Sequence, residues 1–235
     1  MDLLKPYLPH LDALRWHLVR AVAMWLLAAG AVFGWRQDAL DLLTSPLLAR
    51  MPHATLLATG ITEMFGVYLR IALWGGLVAA SPYIAAEAWS FIRPALYPAE
   101  RRWVAWGLGL VPLMSLLGAL FAWFLLLPAM LAFFLGMATP GITTLPHVSD
   151  YISFVVSTVG LMALAFNMPL VLVALVRLGV ISVATLRAQR RIVIVGLFIV
   201  AAIVTPTPDP INQTLVALPL WMLFEMAIGV AARLR

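Results

Sequence analysis

The chain has 235 residues, 64% of them hydrophobic and 11% charged, with a net charge of +5 and a mean hydropathy of +1.02. A soluble domain is roughly half apolar and a quarter charged, so this balance excludes an ordinary globular protein and points to an all-α polytopic membrane protein. With no cysteine, disulfides, thiol catalysis and Cys-ligated metals are excluded.

The opening, Met1-Asp-Leu-Leu-Lys-Pro6, is polar and interrupted by Pro6 and Pro9. It lacks the basic-then-apolar order of a cleaved leader, so the N-terminus is expected to stay on the side where it is made. Six membrane spans are predicted within a single integral membrane domain, 1–235. They are Val19–Trp35, Gly66–Ala88, Trp103–Gly136, Tyr151–Val176, Ile192–Val204 and Gln213–Ala232. The loop Arg36–Phe65 mixes apolar runs with Pro46 and Pro52, which predicts a short amphipathic helix on the outer surface. The Gly/Pro/Thr-rich loop Met137–Asp150 reads as an extended cap.

An even number of spans puts both termini on one side. Lys5, Arg15, Arg20, Arg93, Arg101, Arg102, Arg177, Arg187, Arg190, Arg191, Arg233 and Arg235 fall on that side, against Arg36 and Arg50 on the other. Such a bias predicts cytoplasmic N- and C-termini and explains the high pI without any need for nucleic acid.

Span lengths are unequal. Trp103–Gly136 would reach about 50 Å, far beyond a 30 Å hydrocarbon core, and Pro112 and Pro128 should bend it. Ile192–Val204 would reach only about 20 Å and should thin the bilayer or be covered by a neighbour. The expected body is concave and glove-like, with short last two spans. No internal repeat is visible, which weakens a secondary-transporter reading.

Between the second and third spans lies a polar island, Trp89-Ser-Phe-Ile-Arg-Pro-Ala-Leu-Tyr-Pro-Ala-Glu-Arg-Arg102. Pro94 and Pro98 fix its path; Phe91, Leu96 and Tyr97 are an interfacial anchor or an apolar shelf. Glu100 is either neutralised by Arg101 and Arg102 or free to accept a guanidinium bidentately. Within the spans, Glu225 is expected to pair with Arg233, and Arg70 to snorkel toward Glu63. Asn167 is expected to bond carbonyls freed by Pro169 or to form a polar patch. The four histidines are scattered, and no phosphate loop, nucleophile elbow or carboxylate dyad is present, so no cofactor, metal or enzymatic activity is expected.

Several separated motifs together resemble the TatC family of the twin-arginine (Sec-independent) protein translocase. They are His10-Leu-Asp-Ala-Leu-Arg15, Ser81-Pro82, Pro94-Ala-Leu-Tyr-Pro-Ala-Glu-Arg-Arg102, Phe166-Asn-Met-Pro169, Arg177-Leu-Gly179 and Leu186-Arg187 with Arg190-Arg191. Thr205-Pro206, Pro208-Asp209, Gln213, Ala217-Leu-Pro-Leu220 and Phe224-Glu225 follow in order. The resemblance implies a plasma (inner) membrane receptor of a prokaryote for signal peptides bearing paired arginines. It also implies assembly with single-span TatA/TatB-type subunits as a homo- or hetero-oligomer, and export of folded proteins driven by the proton-motive force.

By the same resemblance, Glu100, Phe91, Pro94, Leu96, Tyr97, Arg101, Arg102, Asp12 and Arg15 are the signal-peptide residues. Asn167, Asp209, Gln213 and Glu225 are partner or intramembrane polar contacts. Two positions depart from the pattern: Ala13 replaces an expected carboxylate, with Asp12 one residue earlier, and Asn167 replaces a usual glutamate. The competing reading is a small-solute secondary transporter using Asn167, Glu225 and Arg70 as a polar pathway.

Overall fold

The computed structural model describes residues 8–52, 55–137, 146–204 and 209–233. Eleven α-helices follow in order: α1 Leu8–Gly34, α2 Arg36–Leu48, α3 Glu63–Ile92, α4 Pro98–Gly109, α5 Val111–Phe121 and α6 Leu127–Gly136. After these come α7 Val148–Ala165, α8 Met168–Arg177, α9 Val183–Ala188, α10 Arg190–Val204 and α11 Pro210–Arg233. Five stretches are long and apolar enough to cross a membrane: 12–34, 63–92, 100–136, 148–177 and 210–233. Helix α10, with 15 residues, is about 22 Å long, covers the expected short fifth span and is not among those five stretches. Lys5, the 205–208 part of the Thr205–Pro210 corner and most of the Met137–Asp150 cap lie outside the described residues.

Helices start earlier than apolarity alone suggests. Pro9 sits in the first turn of α1, where its missing N–H costs nothing, so the helix runs through the polar stretch before Val19. A short helix, α2, forms within the loop Arg36–Phe65.

The long third span is jointed. Pro112 cannot donate to the carbonyl one turn back, and the helix breaks at Leu110. A π-helical turn, Ala122–Leu126, accommodates Pro128. The fourth span breaks at Phe166–Asn167, just before Pro169. Gly179, at φ +72, ends α8 in the left-handed conformation, with the Val180 N–H donating to the Leu175 carbonyl.

The core lies between α3, α6, α7 and α11, where Val67, Met130, Ile152, Val155, Met162 and Val216 are almost wholly buried. Small residues permit the closest crossings. A Cβ on Gly118 would lie 2.2 Å from the Met162 carbonyl oxygen, and one on Gly76 2.5 Å from the Ala29 nitrogen. A second cluster, Val176, Val183, Leu186, Phe224, Ile228 and Ala231, joins α8, α9 and α11 beneath the basic 177–191 loop. Much of the outer face is exposed and apolar, including Leu27, Phe124, Ile192 and Ile203, which suits contact with lipid.

Candidate functional site

Helices α1 and α3 form an antiparallel pair: His17 meets Glu87, Ala29 meets Gly76, and Phe33 meets Phe65. His17 Nδ1 lies 2.5 Å from Glu87 Oε2, and its ring meets Phe91 edge-on at 5.9 Å. Asp12 is five residues before His17, about 7–8 Å along the helix, which places it level with the C-terminal end of α3. The start of α1 and the 93–102 turn therefore share one end of the molecule. Asp12 and Arg15 are exposed there, and neither makes an ion pair with another described residue.

The polar island is tightly formed. Arg93–Ala95 is a 3-10 turn, Tyr97 precedes α4 in an extended conformation, and Pro98 occupies the first helical turn. Glu100 Oε2 accepts the Tyr97 N–H at 3.0 Å, reaching back to satisfy a donor that the helix start leaves free. Arg101 Nε donates instead to the Leu96 carbonyl at 3.3 Å. Neither Arg101 nor Arg102 is paired with Glu100 among the described residues, so the carboxylate retains an oxygen for another donor.

The expected apolar shelf is smaller than its sequence suggests. Leu96 is buried and Phe91 half-buried against His17, because both anchor the turn on the helices below. Tyr97 alone of the three stands fully out, beside exposed Pro94. Helix α4 is braced from a distant part of the chain: the Arg177 guanidinium lies 4.1 Å from the centroid of the Trp103 ring.

The intramembrane polar residues form separate sites. Asn167 Nδ2 donates to Ser115 Oγ at 2.8 Å and to the Ala163 carbonyl at 2.9 Å, while its Oδ1 is buried without a partner among the described residues. That carbonyl has lost its backbone donor, because the Asn167 N–H bonds Leu164 instead at the helix break. Two pairings differ from expectation. Glu225 meets Arg190 at 2.6 Å and not Arg233, since α10 packs across α11 there. Arg70 donates to the Ser149 carbonyl and Ser153 Oγ and not to Glu63, whose carboxylate is bound by the Thr59, Gly60 and Ser149 N–H groups.

Asp209 caps α11, Oδ1 accepting the Asn212 N–H at 2.8 Å, and Gln213 Nε2 donates to the Phe198 carbonyl at 3.3 Å. Asn167, Glu225 and Arg70 thus have separate partners and share no polar channel among the described residues.

A family model described as "Sec-independent protein translocase protein (TatC)" matches residues 9–219. The chain belongs to the TatC family. Curated relatives of that name include one from Azotobacter chroococcum, 36% identical over 98% of this chain and 90% of its own length. Another, from Aquifex aeolicus, is 37% identical over 95% of this chain and 93% of its own. The Escherichia coli K12 protein is 31% identical, covering 95% and 87% respectively. A solved structure titled "Crystal Structure of Twin Arginine Translocase Receptor- TatC" superposes with a TM-score of 0.86 at 36% identity, covering 95% of this chain and 98% of that one.

As a TatC-family member, this chain is an all-α, multi-pass membrane protein. Sequence spacing did not disclose Trp103–Arg177 or His17–Glu87, which join residues 74 and 70 positions apart. Ser115, a lone hydroxyl in an apolar run, was the available signal for a partner to Asn167.

Proposed function

We propose that this TatC-family chain is a receptor for twin-arginine signal peptides and the core of a translocase that exports folded proteins. The observation that carries this reading is Glu100: a carboxylate held on a rigid helix start, tied by one oxygen to the Tyr97 N–H and left unpaired by its arginine neighbours. A carboxylate so placed can accept a guanidinium from outside. Tyr97 and Pro94 offer adjacent exposed surface, with Arg101 beside it, while Arg102 follows on another face of α4. Asp12 and Arg15, on the same end, form the second part of the peptide site, with Asp12 in place of the carboxylate absent at Ala13. The twelve-to-two bias of basic residues supports six spans with both termini in the cytoplasm of a prokaryote, in its inner membrane. Energy then comes from the proton-motive force.

The α10–α11 face, with Gln213 on the Phe198 carbonyl and Asp209 at the adjoining helix start, is the seat of a single-span partner of the TatA/TatB type. Oligomers form through the same lipid-facing surfaces.

Glu100→Gln tests the central claim. The amide still accepts the Tyr97 N–H, so the fold and membrane insertion should persist. Twin-arginine peptide binding, measured by crosslinking, should weaken about tenfold through loss of a charge-assisted bond. Unchanged crosslinking would overturn the assignment.

A further inference from the structure

Beside the break between α4 and α5 is a cleft of about 350 Å³, lined by Arg102, Ala105, Trp106, Gly109 and Leu110. Those positions, spaced by three, four, seven and eight residues, form one stripe along the helix. Glu100 is two residues earlier, about 200° around the axis, and does not line the cleft. Along the stripe the chemistry changes in order: a guanidinium, an indole, a bare backbone, then an aliphatic chain. A Cβ built on Gly109 meets nothing within 4 Å, so the wall there is open.

Two further observations locate this gradient at a membrane surface. From Leu110 onward α5 carries Leu113, Leu116, Leu117 and Leu120, all exposed, as a helix facing hydrocarbon would. Within α4 the exposed large apolar side chains are Trp103 and Trp106, at 59% and 67% exposure, residue types that gather at headgroup depth. Arg102 is eight residues, about 12 Å, before Leu110, and its long side chain can reach back toward phosphate level. Arg177, stacked on Trp103, adds a second cation close by.

We infer that this cleft binds an anionic phospholipid. The Arg102 guanidinium holds the phosphate, the Trp106 indole packs against the glycerol region, and an acyl chain runs over Gly109 and Leu110 along α5. No acid lines the cleft, so its charge suits an anion. A free phosphate would use the cation alone; the apolar continuation below Trp106 favours the lipid. The site lies on a different face of α4 from Glu100, and its test needs no peptide.

The experiment uses the full chain purified in detergent micelles doped with equal phosphatidylglycerol and phosphatidylcholine, with retained lipid counted by native mass spectrometry. The unmodified protein should retain phosphatidylglycerol in preference by about fivefold. Gly109→Leu, which fills the open wall with a good helix former, and Trp106→Ala should each bring the ratio close to one while leaving the protein monodisperse. Equal retention of the two lipids by the unmodified chain would overturn the proposal. So would a preference that survives in both variants. Millimolar glycerol phosphate should fail to displace the lipid; complete displacement would overturn the lipid assignment in favour of a bare phosphate site. Should one variant misfold, the other decides.

Discussion

At one end of this bundle Glu63, Arg70 and Tyr151 bond to the backbone of neighbouring helices and turns; at the other Glu100, Asp12 and Arg15 make few bonds or none to other described residues. Glu63 bridges Thr59, Gly60 and Ser149, Tyr151 donates to the Leu43 carbonyl at 3.0 Å, and Leu57 pairs with His147 across the two outer loops. Their hydrogen-bonding capacity is spent inside the protein. The basic end is also ordered by internal contacts, among them His17–Glu87, Trp103–Arg177 and Arg190–Glu225, but these fix helices and leave Glu100, Asp12 and Arg15 without an ion pair to another described residue. One end is closed for stability. The other bonds fewer of its polar groups within the described residues, as the proposed peptide site requires, and the contrast can be broken or sharpened by substitution.

The largest effect is expected between the ends. Gly118→Val would drive a side chain into the Met162 carbonyl and force α5 from α7, costing about 3 kcal/mol and loosening both ends together. Thermal unfolding in detergent would measure it; wild-type stability would show that the crossing yields easily. Next is Asn167→Leu, which strips the Ala163 carbonyl and Ser115 of their donor at a cost of about 1–2 kcal/mol. It should impair partner-dependent transport more than peptide binding. Loss of peptide binding with assembly intact would move recognition away from the basic end.

A smaller, local effect is expected from Glu63→Ala. Amides 59, 60 and 149 should exchange faster with deuterium while exchange in α4 stays as before. Faster exchange in α4 as well would mean the two ends are not independent. The smallest is Trp103→Leu, which removes a partly exposed cation–π contact worth about 0.5–1 kcal/mol. Unfolding should barely shift, peptide affinity should fall severalfold, and Trp103→Phe should restore it. If Trp103→Leu binds normally, the Arg177 brace has no part in placing Glu100.

What could be read from the chain depended on how far each cause extends along it. Arginine placement separated the two ends, and the prolines at 112, 128 and 169 announced breaks in long helices, because both effects act within a turn or a loop. The Glu100 turn was legible for the same reason: Pro94, Pro98 and the carboxylate fall within seven residues. Partner choices failed where they depended on packing between helices. Arg70 and Glu225 each had an opposite charge seven or eight residues away in sequence, yet both turned to other helices. Leu96 looked like a surface residue by its neighbours, and only the stacking of the turn on the bundle buries it.

The breaks in the third span have a mechanical consequence. A continuous helix resists bending because every bend must stretch hydrogen bonds, but at Leu110 and in the 122–126 turn the regular ladder is already interrupted. The span therefore behaves as three stiff rods on two joints. Its last rod is clamped into the core by Leu127, Met130 and Leu131. The first, carrying Glu100, has no fully buried side chain among its described residues. A load applied at the start of α4 would be concentrated at Leu110, with α3 and the Trp103–Arg177 contact restraining the first rod while the last stays fixed in the core.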